Sequence, residues 1–147
     1  MHQPIYIRNG LLIDPSQDRT ENADLFVLDG RIAPLPATPP ADALVIDASG
    51  LVVAPGFIDL HVHGGGGRDV MEGDGAIDTI ARLHASHGTT SLLATTMTDT
   101  RARIEHALSD VRRALDARPA GAARVLGVHL EGPFISPRRL GAQPAET

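Results

Sequence analysis

The chain contains no cysteine, no lysine and no tryptophan among its 147 residues. Without cysteine, it can form neither a disulfide framework nor a thiolate zinc site, and it offers no thiol nucleophile. The absence of lysine excludes a Schiff-base lysine, a phosphate-loop lysine and a carboxylated lysine that bridges metal ions. Several classes of covalent and metal chemistry are therefore excluded within this sequence.

Aromatic residues are also scarce, at 3%, whereas 42% of the residues are hydrophobic. The core must therefore be aliphatic, which suits the packed layers of an α/β protein. The net charge of -5 and the scattered arginines argue against a nucleic-acid partner. No apolar run approaches the roughly 18 residues of a membrane span, and the N-terminus does not resemble an export signal. We expect a cytoplasmic protein with no membrane partner.

The first third of the sequence has the pattern of a small β-structure. Short apolar stretches predict strands over residues 5–8, 11–13, 24–28, 31–33, 44–46 and 51–53. Asn9-Gly10 and Asp29-Gly30 are dipeptides typical of two-residue hairpin turns. We therefore expect a small antiparallel β-structure that ends near Val53.

From Ala54 onward, strands alternate with helices. Strands are predicted over residues 57–62, 90–95 and 124–130, and helices around the apolar stripe that starts at Ile77 and over residues 101–117. Crossovers of this length connect parallel strands. A doubly wound sheet and a (β/α)8 barrel both fit the pattern. Length favours the doubly wound sheet, because a barrel usually takes about 250 residues.

His61 and His63 occupy the end of the first strand of this second region. Alternation along a strand sends both side chains to the same face, about 7 Å apart. Two imidazoles in this arrangement can converge on one borderline metal ion such as Zn²⁺. The alternative is a surface histidine pair beside a glycine loop. The carboxyl ends of parallel strands, where α/β enzymes place their sites, favour the metal interpretation.

The third strand of this region ends with the same spacing, in His129 and Glu131. Glu131 lies in an apolar run, where a lone buried carboxylate would cost several kcal/mol. We therefore expect a compensating cation near it, which a metal ion can supply. A carboxylate held by arginine or by backbone N–H groups is the alternative.

Three stretches of the sequence carry a family resemblance. Residues 55–63 (PGFIDLHVH) resemble the first barrel strand of the amidohydrolase superfamily, which also includes dihydroorotases and hydantoinases. Residues 64–71 (GGGGRDVM), and residues 129–135 (HLEGPFI) followed by 139–142 (RLGA), resemble N-acetylglucosamine-6-phosphate deacetylases. The resemblance extends over nearly the whole chain.

The resemblance implies a fold and a division of the chain. Residues 1–53 correspond to a portion of a small β-sandwich that C-terminal strands complete. Residues 54–147 correspond to the first three β/α units of an incomplete (β/α)8 metal-dependent hydrolase barrel. The predicted fold class is therefore α/β, the N-terminal portion of such a barrel.

The resemblance also implies roles for individual residues. Glu131 matches the principal metal-ligand glutamate, and His61 and His63 match the pair that holds a second ion in members that have one. Ala142 and Gln143 fall where the family contacts the sugar substrate, and many members carry histidine at the position of Gln143. The catalytic aspartate and two further metal-binding histidines belong to later strands, so no catalytic residue is expected within this chain.

The implied reaction is metal-dependent deacetylation of N-acetylglucosamine 6-phosphate to glucosamine 6-phosphate and acetate. We expect one or two divalent ions, zinc by preference, a small amino sugar phosphate as substrate, and a homodimer in the complete enzyme. The 147-residue chain alone is expected to be inactive. One alternative is a cyclic-amide hydrolase of the dihydroorotase or hydantoinase type. Another is a non-catalytic truncated fragment, or an assembly partner for a separately encoded remainder.

Overall fold

The structure is a computed structural model that describes residues 2–144. The chain divides into two compact units, with the division between Pro55 and Gly56. No helix within residues 2–144 is long and apolar enough to cross a membrane. The assignment of the first unit to a β-sandwich remains a prediction.

The first unit is built around one five-stranded sheet. Its strands are β1 (Ile5–Asp14), β2 (Arg19–Leu28), β3 (Arg31–Ala33), β4 (Leu44–Asp47) and β5 (Val52–Val53). The order is β3-β2-β1-β4, and β5 pairs with the second half of β1. Strands β1, β2 and β3 are antiparallel, whereas β4 and β5 run parallel to β1. The predicted antiparallel structure is therefore only partly right, because the proline-rich segment after β3 returns the chain in the direction of β1.

The hairpin turn predicted at Asn9-Gly10 is wrong. A single strand, β1, runs through both residues, with an irregularity in its pairing between Ile7 and Gly10. Asn9 has a φ of 62°, and its backbone N–H donates to the Asp24 carboxylate at 2.9 Å. A Cβ on Gly10 would lie 2.6 Å from a Val53 methyl carbon. Glycine at position 10 therefore permits a close approach within the sheet instead of a turn.

The hairpin predicted at Asp29-Gly30 is confirmed. These two residues connect β2 to β3 and have φ values of 48° and 75°. Positive φ at both central positions is what a type I′ turn requires, and aspartate followed by glycine accepts it readily.

The second unit alternates strands with helices, as predicted. It consists of β6 (Phe57–Val62), β7 (Gly64–Gly65), β8 (Arg68–Asp69), a short 3-10 helix (Val70–Glu72), α1 (Ala76–Ser86), β9 (Thr89–Thr95), α2 (Arg101–Asp116) and β10 (Arg124–His129). The main sheet has the order β10-β9-β6, and both pairings are parallel. Parallel neighbours place the carboxyl ends of β6, β9 and β10 along one edge of the sheet.

The core of this unit is aliphatic, as the composition predicts. Leu92 of β9 and Ile77 and Ile80 of α1 are buried together with Val111 of α2. The buried stripes of the helices follow the three- and four-residue spacing from which the helices were predicted. Packing of both helices on the sheet holds the strand ends in place.

An ion-pair network joins the two helices. The carboxylate of Asp110 on α2 is buried and accepts a hydrogen bond from the Ile77 backbone N–H at 3.2 Å, in the first turn of α1. Arg113 donates to Asp78 and to Asp110, each at 2.8 Å. Hydrogen bonds to Asp78 and Asp110 raise the pKa of Arg113. Asp110 therefore supplies the N-terminal cap that Gly75, the residue preceding α1, cannot provide.

Candidate metal centre

The two predicted histidines face each other at the end of β6. His61 is in the strand, and His63 is the residue that follows it. Their Nε2 atoms are 3.0 Å apart, and the rings meet edge to face with centroids separated by 4.8 Å. Val62, between them, points into the core, and its backbone N–H donates to the buried hydroxyl of Thr95 at 2.9 Å. The alternation that buries Val62 therefore turns His61 and His63 together toward the opposite side, as predicted.

Glu131 lies two residues after β10 and reaches the same point. Its Oε2 atom is 3.2 Å from Nε2 of His61 and 3.3 Å from Nε2 of His63. The Glu131 backbone N–H donates to the Thr96 hydroxyl at 3.3 Å. Because Thr96 directly follows β9, the end of the central strand positions a residue that follows the edge strand.

These three side chains have the donor set and the spacing of a metal centre. Their ligand atoms lie within 4.8 Å of one another. Atoms that bind zinc tetrahedrally at about 2.1 Å stand about 3.4 Å apart, close to the separations found here. Two imidazole nitrogens and a carboxylate oxygen can all direct lone pairs at one cation. Nitrogen and oxygen donors suit zinc and other borderline divalent ions.

The environment of the cluster leaves it accessible. The side chains of His61, His63 and Glu131 are 49%, 35% and 29% exposed, so a solvent molecule or substrate can approach them. Among residues 2–144, Nδ1 of His63 is buried without a hydrogen-bond partner, and the polar contacts of this ring run through Nε2. Nε2 is therefore the nitrogen that His63 offers to a ligand.

His129 lies beside the cluster and does not join it. Its Nδ1 is 3.3 Å from the carbonyl oxygen of Leu60, and its ring packs edge to face against His61 with centroids 4.7 Å apart. A neutral imidazole that donates from Nδ1 to this carbonyl keeps a fixed ring orientation. The two-residue spacing from Glu131 placed His129 at the strand end but did not indicate this contact with His61.

Gln143 is the predicted substrate contact that the structure places at the cluster. Its Nε2 donates to Oε1 of Glu131, and its Oε1 accepts from the backbone N–H of Thr98 at 3.0 Å. Ala142 is exposed in the turn that precedes it. Residue spacing could not have revealed the contact with Glu131, since 12 positions without a helix or strand separate the partners.

The glycine-rich residues 64–67 form a small hairpin from β7 to β8. Gly66 and Gly67 have φ values of 65° and 76°, a left-handed backbone conformation that glycine adopts readily. His84 of α1 has its Nε2 atom 3.2 Å from the Gly64 carbonyl oxygen. His84 is therefore a hydrogen-bonded helix residue and is not one of the three clustered side chains.

The chain belongs to the amidohydrolase family. A sequence model described as "Amidohydrolase family" matches residues 52–146, which include every residue of the cluster. The predicted α/β fold, part of a (β/α)8 metal-dependent hydrolase barrel, is thereby confirmed. The His–His–Glu cluster agrees with the metal dependence of this family.

Amino sugar phosphate deacetylases are among the proteins to which this chain is similar. An N-acetylglucosamine-6-phosphate deacetylase from Bacillus subtilis is 45% identical over 98 residues, or 65% of this chain and 25% of the relative. The crystal structure of such a deacetylase from Pasteurella multocida matches 97% of this chain and 38% of its own, with 26% identity and a TM-score of 0.83.

A dihydroorotase from Solibacter usitatus matches a shorter stretch. It is 54% identical over 63 residues, which is 41% of this chain and 14% of the relative. This chain thus spans about a quarter of the Bacillus relative and somewhat over a third of the Pasteurella protein.

Proposed function

We propose that the protein to which this chain belongs hydrolyses the acetamide of N-acetylglucosamine 6-phosphate and releases glucosamine 6-phosphate and acetate. Similarity to deacetylases over nearly the whole chain supports this reaction. The observation that carries it is the meeting of Glu131 with His61 and His63 at one point. The rival cyclic-amide hydrolases share the histidine pair, whereas the stretch around Glu131 resembles the deacetylases.

We propose that His61, His63 and Glu131 hold divalent metal, with zinc as the preferred ion. Each histidine offers a neutral Nε2 lone pair, and Glu131 offers the negative charge that offsets the charge of the ion. When bound, such an ion polarises an amide carbonyl and lowers the pKa of a coordinated water toward about 7. Thr96 and Thr95 act through the backbone, since their hydroxyls hold Glu131 and Val62 in place.

Substrate contacts and proton transfer remain proposals at the level of the family. Ala142 and Gln143 are proposed to face the amino sugar, and an aspartate outside residues 1–147 is proposed to move the proton between water and leaving amine. The homodimer and the cytoplasmic location expected from the sequence also remain predictions.

Replacement of Glu131 with glutamine tests the metal centre. Glutamine keeps the shape of the side chain and removes its charge, so we expect the purified Glu131→Gln variant of the natural full-length protein to lose bound metal. Metal content by mass spectrometry is the measurement. The matched control is Glu105→Gln, since Glu105 is an exposed carboxylate on α2 that pairs with Arg101. Full metal content in Glu131→Gln would exclude Glu131 as a ligand.

A side-by-side assay tests the substrate. The same protein should release acetate from N-acetylglucosamine 6-phosphate faster than it opens dihydroorotate or a hydantoin. Product formation is measured for the three compounds at equal enzyme and metal concentrations. A preference for either cyclic amide would favour the rival reaction.

A further inference from the structure

We propose that Gln143 is a positioning residue for the metal ligand Glu131. It fixes the Glu131 carboxylate so that one oxygen faces the histidines, and it ties that carboxylate to the segment after β9. The inference rests on the metal centre proposed above, and it assigns Gln143 a task that a substrate contact does not include.

The orientation of the Gln143 amide is determined by its two partners. A carboxylate without a proton can only accept a hydrogen bond, and a backbone N–H can only donate one. The NH2 group of Gln143 must therefore face Glu131, and its oxygen must face the N–H of Thr98. The reversed amide would place the Gln143 oxygen against the Glu131 carboxylate, which is two acceptors, and the Gln143 NH2 group against the Thr98 N–H, which is two donors.

The two oxygens of Glu131 consequently have different partners. Oε1 accepts from Gln143, while Oε2 lies 3.2 Å and 3.3 Å from the two histidine nitrogens. Rotation about the last bond of a glutamate side chain is otherwise broad and nearly two-fold. A donor bound to Oε1 selects one orientation and leaves Oε2 for the cation. Hydrogen bonds to ligating carboxylates typically raise metal affinity in this way.

Backbone contacts link Glu131 to the same segment that Gln143 uses. The N–H of Glu131 donates to Thr96, and Gln143 accepts from Thr98 two residues later. The next residue, Gly132, packs directly against Thr98. Both the backbone and the carboxylate of Glu131 are therefore held by residues 96–98. The backbone contacts Thr96 directly, and the carboxylate is connected to Thr98 through Gln143. Loss of the amide would free the carboxylate while the backbone contacts remained.

The test measures metal affinity in the natural full-length protein, with Zn²⁺ competed against a chromophoric chelator. Gln143→Leu keeps the approximate size of the side chain and removes both hydrogen bonds, so we expect affinity to fall about tenfold. In Gln143→His, a neutral imidazole has one donor and one acceptor nitrogen, so we expect most of the affinity to return. The matched control is Gln17→Leu, because Gln17 makes the same kind of contact, to Asp14 at 2.7 Å.

Steady-state kinetics separate positioning from substrate contact. If Gln143 only contacts substrate, Gln143→Leu should raise KM and leave the zinc affinity unchanged, and this result would overturn the proposal. Reduced zinc affinity with recovery in Gln143→His supports it. If Gln143→Leu loses its cooperative thermal transition, Gln143→Ala replaces it in both measurements and is judged by the same criteria.

The outcome for Glu131→Gln distinguishes failure of this inference from failure of the proposed function. If Glu131→Gln retains its metal, the metal centre itself is wrong and the role of Gln143 falls with it. If Glu131→Gln loses metal while Gln143→Leu binds zinc as tightly as the unaltered protein, only the positioning role is wrong. The zinc titration needs no substrate, so neither outcome depends on the identity of the sugar.

Discussion

Replacement of Gly132 with alanine should destabilise the protein more than the same replacement at Gly67. Both glycines have left-handed backbone conformations, with φ values of 75° and 76°. A Cβ on Gly132 would lie 1.9 Å from the hydroxyl oxygen of Thr98 and 3.1 Å from its Cα atom. A Cβ on Gly67 would have no described atom within 4 Å. The pair therefore separates backbone strain from steric overlap.

The expected magnitudes follow from these two contributions. A left-handed conformation costs a residue with a Cβ about 1 to 2 kcal/mol, and both variants incur this cost. Overpacking adds about 1 to 3 kcal/mol, and only Gly132→Ala incurs it, because the Thr98 backbone cannot rotate away as a flexible side chain could. We expect a loss of about 2 to 5 kcal/mol for Gly132→Ala, against about 1 to 2 kcal/mol for Gly67→Ala.

Urea unfolding of the full-length protein measures the free energy of unfolding of each variant. A chelator is present so that metal binding does not contribute. Removal of the hydroxyl in a Gly132→Ala/Thr98→Ala double variant should recover part of the loss, which a double-mutant cycle detects. Metal affinity should also fall in Gly132→Ala, since relief of the overlap moves the adjacent Glu131. Equal destabilisation of the two alanine variants, within about 0.5 kcal/mol, would refute the steric argument.

Two further predictions concern acid stability and the core. Hydrogen bonds from Ser49 and Asn9 lower the pKa of Asp47 from 3.8 to about 2, so Asp47 contributes stability above its unfolded pKa that is lost as the pH falls from about 4 to about 2. Asp47→Asn keeps an acceptor oxygen but cannot titrate, so the thermal midpoint of this variant should fall less steeply than that of the unaltered protein between about pH 4 and about pH 2. An equally steep decline would contradict this role. Leu92→Ala, at a fully buried position of β9, should cost about 2 to 5 kcal/mol in urea unfolding. A loss below about 1 kcal/mol for Leu92→Ala would contradict the assigned core.

The sequence by itself determined the features that depend on neighbouring residues. The period of two places His61 and His63 on one side of β6, and the period of 3.6 identifies the buried faces of α1 and α2. Asp29-Gly30 forms the expected turn because its backbone preference is local. Parallel pairing of β6, β9 and β10 also followed, since crossovers of that length return a chain in the same direction.

Only the tertiary structure decided the features that depend on distant partners. Asn9 and Gly10 have the composition of a turn, yet contacts with Asp24 and Val53 keep them within one strand. Gln143 reaches Thr98 across 45 positions, and no spacing rule connects an irregular loop to the end of a strand. Such contacts are set by packing of the whole unit, because a loop residue has no periodicity that would report which side chain or backbone group it meets.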